Sequence, residues 1–159
     1  MIEAAPHRFP VRVYYEDTDL GGVVYHANYL RFFERGRSEM LRDAGVDQAA
    51  LKSGEDLVFM VSRCDVRFHR PARYDDLLSV ETRVERIGGA SLALDQRLIR
   101  PGEEGPLVAA RVDVACVRLS SGRPARLPAP LRERLDALAA DRDSASAGAP
   151  PLDAAEAAR

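Results

Sequence analysis

The chain has 159 residues, of which 46% are hydrophobic and 30% charged, and 23 Lys and Arg against 25 Asp and Glu leave a formal net charge of −2. That length suggests one domain with room for a real core. The charge balance argues against nucleic acid as the main partner, because no excess of cations is available to neutralise phosphates.

A small phosphorylated ligand stays open, since it needs only a local basic cluster. Residues 1–10 hold no apolar signal-peptide core, and no apolar run approaches the roughly 20 residues that span a bilayer. No membrane insertion and a cytoplasmic location are the expectation. The two cysteines, Cys64 and Cys116, fall on the apolar faces of alternating segments, so buried free thiols are expected.

In chain order, residues 7–15 alternate, with Phe9, Val11, Val13 and Tyr15 on one side and Arg8, Arg12 and Tyr14 on the other. This pattern predicts a half-buried strand. An acidic, Gly-containing turn follows. From Asn28 to Ala44 the period changes, and Tyr29, Leu30, Phe33, Gly36, Arg37, Met40, Leu41 and Ala44 recur at three- and four-residue steps. A long helix with one apolar face is predicted, stopping at Gly45. Gly36 costs about 1 kcal/mol inside a helix relative to Ala, and close approach to a sheet would compensate.

A short helical or irregular piece spans 48–53, with Gly54 breaking it. Four strands follow. In the first, over 57–69, Val58, Met60, Cys64, Val66 and Phe68 share a face. The next three are built on Leu78 to Val84, Leu92 to Leu98 and Val108 to Cys116. Short Gly-, Pro- and Ser-rich connections predict antiparallel neighbours. A terminal helix over 130–140 precedes a tail, residues 141–159, whose composition reads as disordered. The fold class is α+β, with one long helix covered by an antiparallel sheet and unprotected edges that favour self-association.

The chemistry concentrates in Tyr15-Glu16-Asp17-Thr18-Asp19-Leu20-Gly21-Gly22-Val23-Val24-Tyr25-His26-Ala27-Asn28-Tyr29. Asp-Thr-Asp-x-Gly-Gly is on bland terms a turn. A hard metal ion is a weaker reading, because the repeated oxygen ligands of a calcium loop are missing. A sharper reading uses the helix that follows: its first N–H groups have no partner within the helix and sit at the positive end of its dipole. They can hold a developing oxyanion while an aspartate, ionised at neutral pH, attacks or orients water. A carboxylate is a weak base, so the substrate needs a good leaving group. A thiol, with a pKa of about 8.5, departs as thiolate and makes a thioester suitable.

The run Val11 to Asp19, then Gly22 to Tyr29, then Phe33-Glu34-Arg35, resembles the signature of hotdog-fold acyl-CoA thioesterases. It is most like the branch associated with the Tol–Pal system and related to 4-hydroxybenzoyl-CoA thioesterase. Phe68 to Asp76 and Gly122 to Pro128 resemble that branch too, so the likeness covers about residues 8–140. It implies one hotdog domain over 1–140, a long helix wrapped by an antiparallel sheet, a homodimer as minimal unit and often a homotetramer. It also implies an acyl-CoA substrate and no cofactor.

The family's catalytic carboxylate falls on Asp19, and the carbonyl-polarising N–H maps to the region of His26. Where 4-hydroxybenzoyl-CoA enzymes carry a tyrosine this chain has His26, which sets it apart from them. His26 suits proton handling near neutral pH. Tyr25 and Tyr29 are expected in the core or the acyl-pocket wall rather than in the chemistry, Asn28 as a helix N-cap, and Asp17 as a fixture of the turn. Arg70 and Arg73, with Arg118, Arg123 and Arg126, are candidates for the phosphates of coenzyme A if they converge. The competing expectation is a non-catalytic module that binds acyl-CoA or acyl carrier protein for a membrane-linked partner; mere binding would not need Asp19.

Overall fold

A computed structural model describes residues 5–143. Alternating segments become strands and the three-to-four-residue period becomes a helix: β1 (His7–Arg12), a 3-10 turn (Tyr15–Asp17), α1 (Asn28–Asp43), α2 (Gln48–Glu55), β2 (Leu57–Phe68), β3 (Leu77–Ile87), β4 (Ser91–Ile99), β5 (Val108–Arg118), β6 (Arg123–Pro124) and α3 (Ala129–Asp143). Every strand pairing is antiparallel, in the order β1-β3-β4-β5-β2, with the short β6 beside β5.

Helix α1 lies on the sheet and buries Tyr29, Phe32, Phe33, Gly36, Met40 and Leu41. Leu30, expected on that face, is exposed, and the fully buried residue is its neighbour-but-one, Phe32. Gly36 makes the close approach that justifies it: a Cβ there would lie 2.5 Å from Val80 Cγ1 on β3. The helix ends at Asp43 with Ala44 as its C-cap, and Gly45 follows with a φ of 79° that suits a residue without Cβ. Helix α2 runs through Gly54 and closes at Asp56, which takes a left-handed conformation.

Strand β2 departs from the expected pattern. Its register with β5 shifts between Val61 and Arg63. Such a bulge moves the side chains on one flank to the opposite face. Phe59 and Val61 therefore face α1 before the shift, and Val66 packs against the core after it, while Met60 is exposed. As a sheet edge, β2 also leaves Cys64 exposed; only Cys116 is buried, and both thiols are free.

Helix α3 packs on β3 with Leu131 and Leu135 buried, and its Arg132 donates to the Gly88 carbonyl. It extends beyond the expected end at 140, so residues 141–143 of the expected tail are helical. The remainder of that tail, 144–159, lies outside the described residues.

Candidate active site

The acidic turn folds as a tight hairpin between β1 and α1. Thr18 bridges Val24, the Asp19 N–H donates to the Val23 carbonyl (2.9 Å), and the Gly22 N–H donates to the Asp19 carbonyl (3.0 Å). Gly22 takes the positive φ (77°) that closes such a turn. The Gly21 N–H donates to Asp19 Oδ1 at 2.8 Å, and a Cβ on Gly21 would come within 3.1 Å of that oxygen. One carboxylate oxygen of Asp19 is thus pinned by backbone, and the other, on an exposed residue, has no protein partner among the described residues.

Asp17 ties this hairpin to the helix. Its carboxylate accepts the Tyr14 N–H (2.8 Å), and its carbonyl accepts both the Tyr25 N–H (2.8 Å) and Asn28 Nδ2 (3.0 Å). Asn28 is therefore the first residue of α1 rather than its cap. The N-cap is Ala27, whose side chain has nothing to offer the helix end. Val24 N–H goes to the Ala72 carbonyl and Asn28 N–H to the Tyr25 carbonyl. Among the described residues that leaves the N–H groups of His26 and Ala27 without a hydrogen-bond partner.

Around that helix start stand aromatic rings. The exposed His26 ring meets Tyr25 edge-on (centroids 4.6 Å apart) and Phe68 at 6.4 Å, and Tyr29 lies 5.8 Å from Phe68. Phe68 comes from the far end of β2, a neighbour that its place in the sequence does not disclose. Tyr29 is buried, and its hydroxyl accepts the N–H of buried Ala72 at 3.1 Å. Burial raises the Tyr29 phenol above its usual pKa; the Ala72 N–H opposes this, and the negative charge of Asp19 adds to it. The Asp19 carboxylate and the Tyr29 hydroxyl are therefore electrostatic neighbours.

The arginines divide. Arg70 is committed, donating to Glu103 Oε2 (2.7 Å) and to the carbonyls of Glu104 and Gly105. Arg73 forms a bridge with Val23 through its backbone, and its guanidinium has no hydrogen bond or ion pair among the described residues. Arg118 pairs with Leu57 at one end of β5, whereas Val108 pairs with Phe68 at the other. Ten residues of strand span about 33 Å, so within one chain Arg118 does not converge with Arg73. Arg100 holds the loop that carries Arg73, donating to Asp76 Oδ2 (2.7 Å) and the Pro71 carbonyl. Partial burial pushes the Asp76 carboxyl up, but the hydrogen bonds from Arg100 and the Arg73 N–H outweigh it and leave it below the usual range.

A cavity of ≈ 100 Å³ opens between α1 and β2 and is lined by Glu34, Arg37, Met40, Phe59, Val61 and Leu94 among others. Arg37 donates to Gln96 Oε1 (3.0 Å), and Gln96 is fully buried and bonded in turn to the Phe33 carbonyl and Thr82. Among the described residues no His, Cys, Asp and Glu cluster could hold a metal ion, and no helix is long and apolar enough to cross a membrane.

The family model of the thioesterase-like superfamily matches residues 13–135, most of the chain and all of this hairpin and helix. The chain belongs to the thioesterase-like superfamily. Among its relatives, "Acyl-CoA thioesterase YbgC" of Haemophilus influenzae is 48% identical over 120 residues, which cover 76% of this chain and 87% of that one. "Acyl-CoA thioester hydrolase YbgC" of Escherichia coli O6:H1 is 46% identical over 121 residues, covering 76% and 89%. A crystal structure of a probable thioesterase from Bartonella henselae superposes with a TM-score of 0.73 at 46% identity, over 78% of this chain and all of that one. The antiparallel sheet with its long helix is the hotdog fold of this thioesterase-like superfamily.

Proposed function

We propose that this protein hydrolyses acyl-CoA thioesters to free acid and coenzyme A, with Asp19 as the reacting carboxylate. The observation that carries the reading is the pairing of two unsatisfied groups: the free oxygen of Asp19, and the unbonded N–H groups of His26 and Ala27 at the start of α1. A thioester carbonyl held by those N–H groups accumulates negative charge as it is attacked. Each such donor is worth roughly 10²- to 10³-fold in rate.

Asp19 supplies the attack, as nucleophile or as base for water. The carbon–sulfur bond then breaks, and the sulfur leaves as thiolate, which needs no strong acid. Water provides the oxygen of the released acid and the proton that the thiolate takes up. In this reading His26 contacts the attacking water, and Tyr25, Tyr29 and Phe68 form the apolar wall for the acyl group near the thioester. Relatives named acyl-CoA thioesterase and acyl-CoA thioester hydrolase, at 48% and 46% identity, support the substrate class.

The reading extends to assembly and setting. One hotdog domain over 1–140 acts as a homodimer at least, and as a homotetramer by its likeness to the Tol–Pal-associated branch, in the cytoplasm. Asn28 positions the helix start, and Arg73 takes a phosphate of coenzyme A; Arg70 would first have to leave Glu103.

The test is thiol release across acyl-CoA chain lengths by wild type and Asp19→Asn. Wild type is expected to release thiol, and the variant to lose at least about 10³-fold in kcat while keeping its fold and mass. Near-wild-type turnover by Asp19→Asn on every accepted substrate would overturn the assignment. Binding without release by wild type at every length would make the protein a carrier module.

A further inference from the structure

Tyr15 and Tyr74 come from segments 59 residues apart, yet their rings stack at 4.5 Å with only 4° between their planes. The stack stands at the surface, with Tyr15 79% and Tyr74 50% exposed, so aromatic area remains open to a further ring. It is held from below. The Tyr15 carbonyl accepts both the N–H (3.1 Å) and the hydroxyl (2.8 Å) of Thr18. Tyr74 is clamped by the ladder in which Val13 N–H donates to Asp76 and Asp75 N–H donates to Val13, both at 3.0 Å. Two ordered rings with open area are a surface on which a flat, neutral heterocycle gains contact at little further cost in ordering.

Charge decides which heterocycle. Arg12 is engaged by Asp75 (2.8 Å to its carbonyl, 3.7 Å to its carboxylate). Arg73, next to Tyr74 in sequence, keeps an exposed guanidinium with no hydrogen bond or ion pair among the described residues, only a through-space attraction to the Asp76 carboxylate that Arg100 already holds. Its backbone bridges Val23, in the hairpin that carries Asp19. An aromatic platform, an exposed guanidinium and the reacting carboxylate thus share one end of the molecule. A base attached to phosphates and tethered to a thioester is the ligand that uses all three.

We propose that the Tyr15–Tyr74 stack with Arg73 is the nucleotide subsite, where the adenine of coenzyme A stacks and Arg73 takes a phosphate oxygen. This rests on the acyl-CoA reading above. The pantetheine arm between thioester and diphosphate is a flexible chain, so the nucleotide settles where the surface holds it, while the thioester lies at Asp19.

The experiment compares one acyl group carried by coenzyme A and by pantetheine, which lacks the nucleotide. In wild type the kcat/KM ratio favours acyl-CoA. In Tyr74→Ala and Tyr15→Ala the ratio falls about 10-fold, the loss lying in KM; Tyr74→Phe restores it, and Arg73→Gln lowers it in a salt-dependent way. An unchanged ratio in Tyr74→Ala overturns the subsite. So does an equal loss on both substrates, which would make the stack a prop for the Asp19 hairpin. Calorimetric binding of adenosine 3′,5′-bisphosphate supplies a readout independent of hydrolysis. Binding to wild type that disappears in Tyr74→Ala upholds the subsite even if neither thioester is hydrolysed, and equal binding to both overturns it.

Discussion

Single side chains here act by completing backbone hydrogen bonds as much as by chemistry of their own. Tyr29 is the clearest case: its hydroxyl is the acceptor for the N–H of Ala72, which is fully buried. Tyr29→Phe keeps the ring against Phe32 and Phe68 and strands that N–H, at a cost of about 1–3 kcal/mol. Urea unfolding is expected to show that loss, with kcat/KM reduced less than 10-fold because the ring wall survives. Unchanged stability would mean that Ala72 finds another acceptor. At this scale the sequence was a good guide where groups are close along the chain. Asp19, Gly21, Gly22 and His26 sit within eight residues, so a hairpin leading into a helix start had to bring them together. Tyr74 against Tyr15, and Phe68 against His26, depend on loops and strand ends meeting in space, and nothing local to either residue encodes that. Asn28 was misread for a related reason: its residue type suits a cap, but the carbonyl of Asp17 competes for its side chain and wins.

Elements are fixed by the fit of faces, and Gly36 is where α1 and the sheet come closest. Alanine there gains about 1 kcal/mol of helix propensity, yet its Cβ would sit 2.5 Å from Val80 Cγ1 and 3.4 Å from Thr82 Oγ1. Overpacking of that kind costs about 1–3 kcal/mol, so Gly36→Ala should be destabilising on balance. The double variant Gly36→Ala/Val80→Ala should recover part of the loss if the clash is the cause, as thermal unfolding of the three proteins would reveal; equal loss in single and double variants would locate the cost elsewhere. The glycine's role was readable from its cost in a helix, as was the period of α1 that predicts most of its buried face. Strand β2 was readable only in extent. Its alternation of apolar residues is interrupted at Val61 and Arg63 by a bulge, and one inserted residue reverses which side chains face the helix. That reversal is why Met60 is exposed although its spacing put it on an inner face, and β2's position at the edge is why Cys64 is exposed too.

At the scale of the whole molecule, the sheet formed by the described residues has two edges, β1 and β2, and they are built differently. β1 is six residues long, carries Pro10, and sets Arg8 and Arg12 outward, features that blunt an edge against further pairing. β2 is twelve residues long, bears no proline, and exposes Met60, Val61 and Phe68. A long edge that exposes apolar side chains between charged ones is open to cover, and a second copy running antiparallel along it would continue the sheet. Under that pairing the Phe59 end of one β2 lies opposite the Phe68 end of the other. The cavity lined by Arg37, Phe59 and Val61 would then approach the partner's helix start, so the acyl site would be shared between copies. Lysine is the natural device for silencing an edge. Met60→Lys/Ser62→Lys avoids the residues that line the cavity and adds like charges where two strands would meet. Sedimentation should show its mass falling to that of a single chain, with circular dichroism unchanged, and acyl-CoA turnover falling with it. Retention of wild-type mass would place the contact on another surface, and a monomer of undiminished activity would show that one chain completes the site alone.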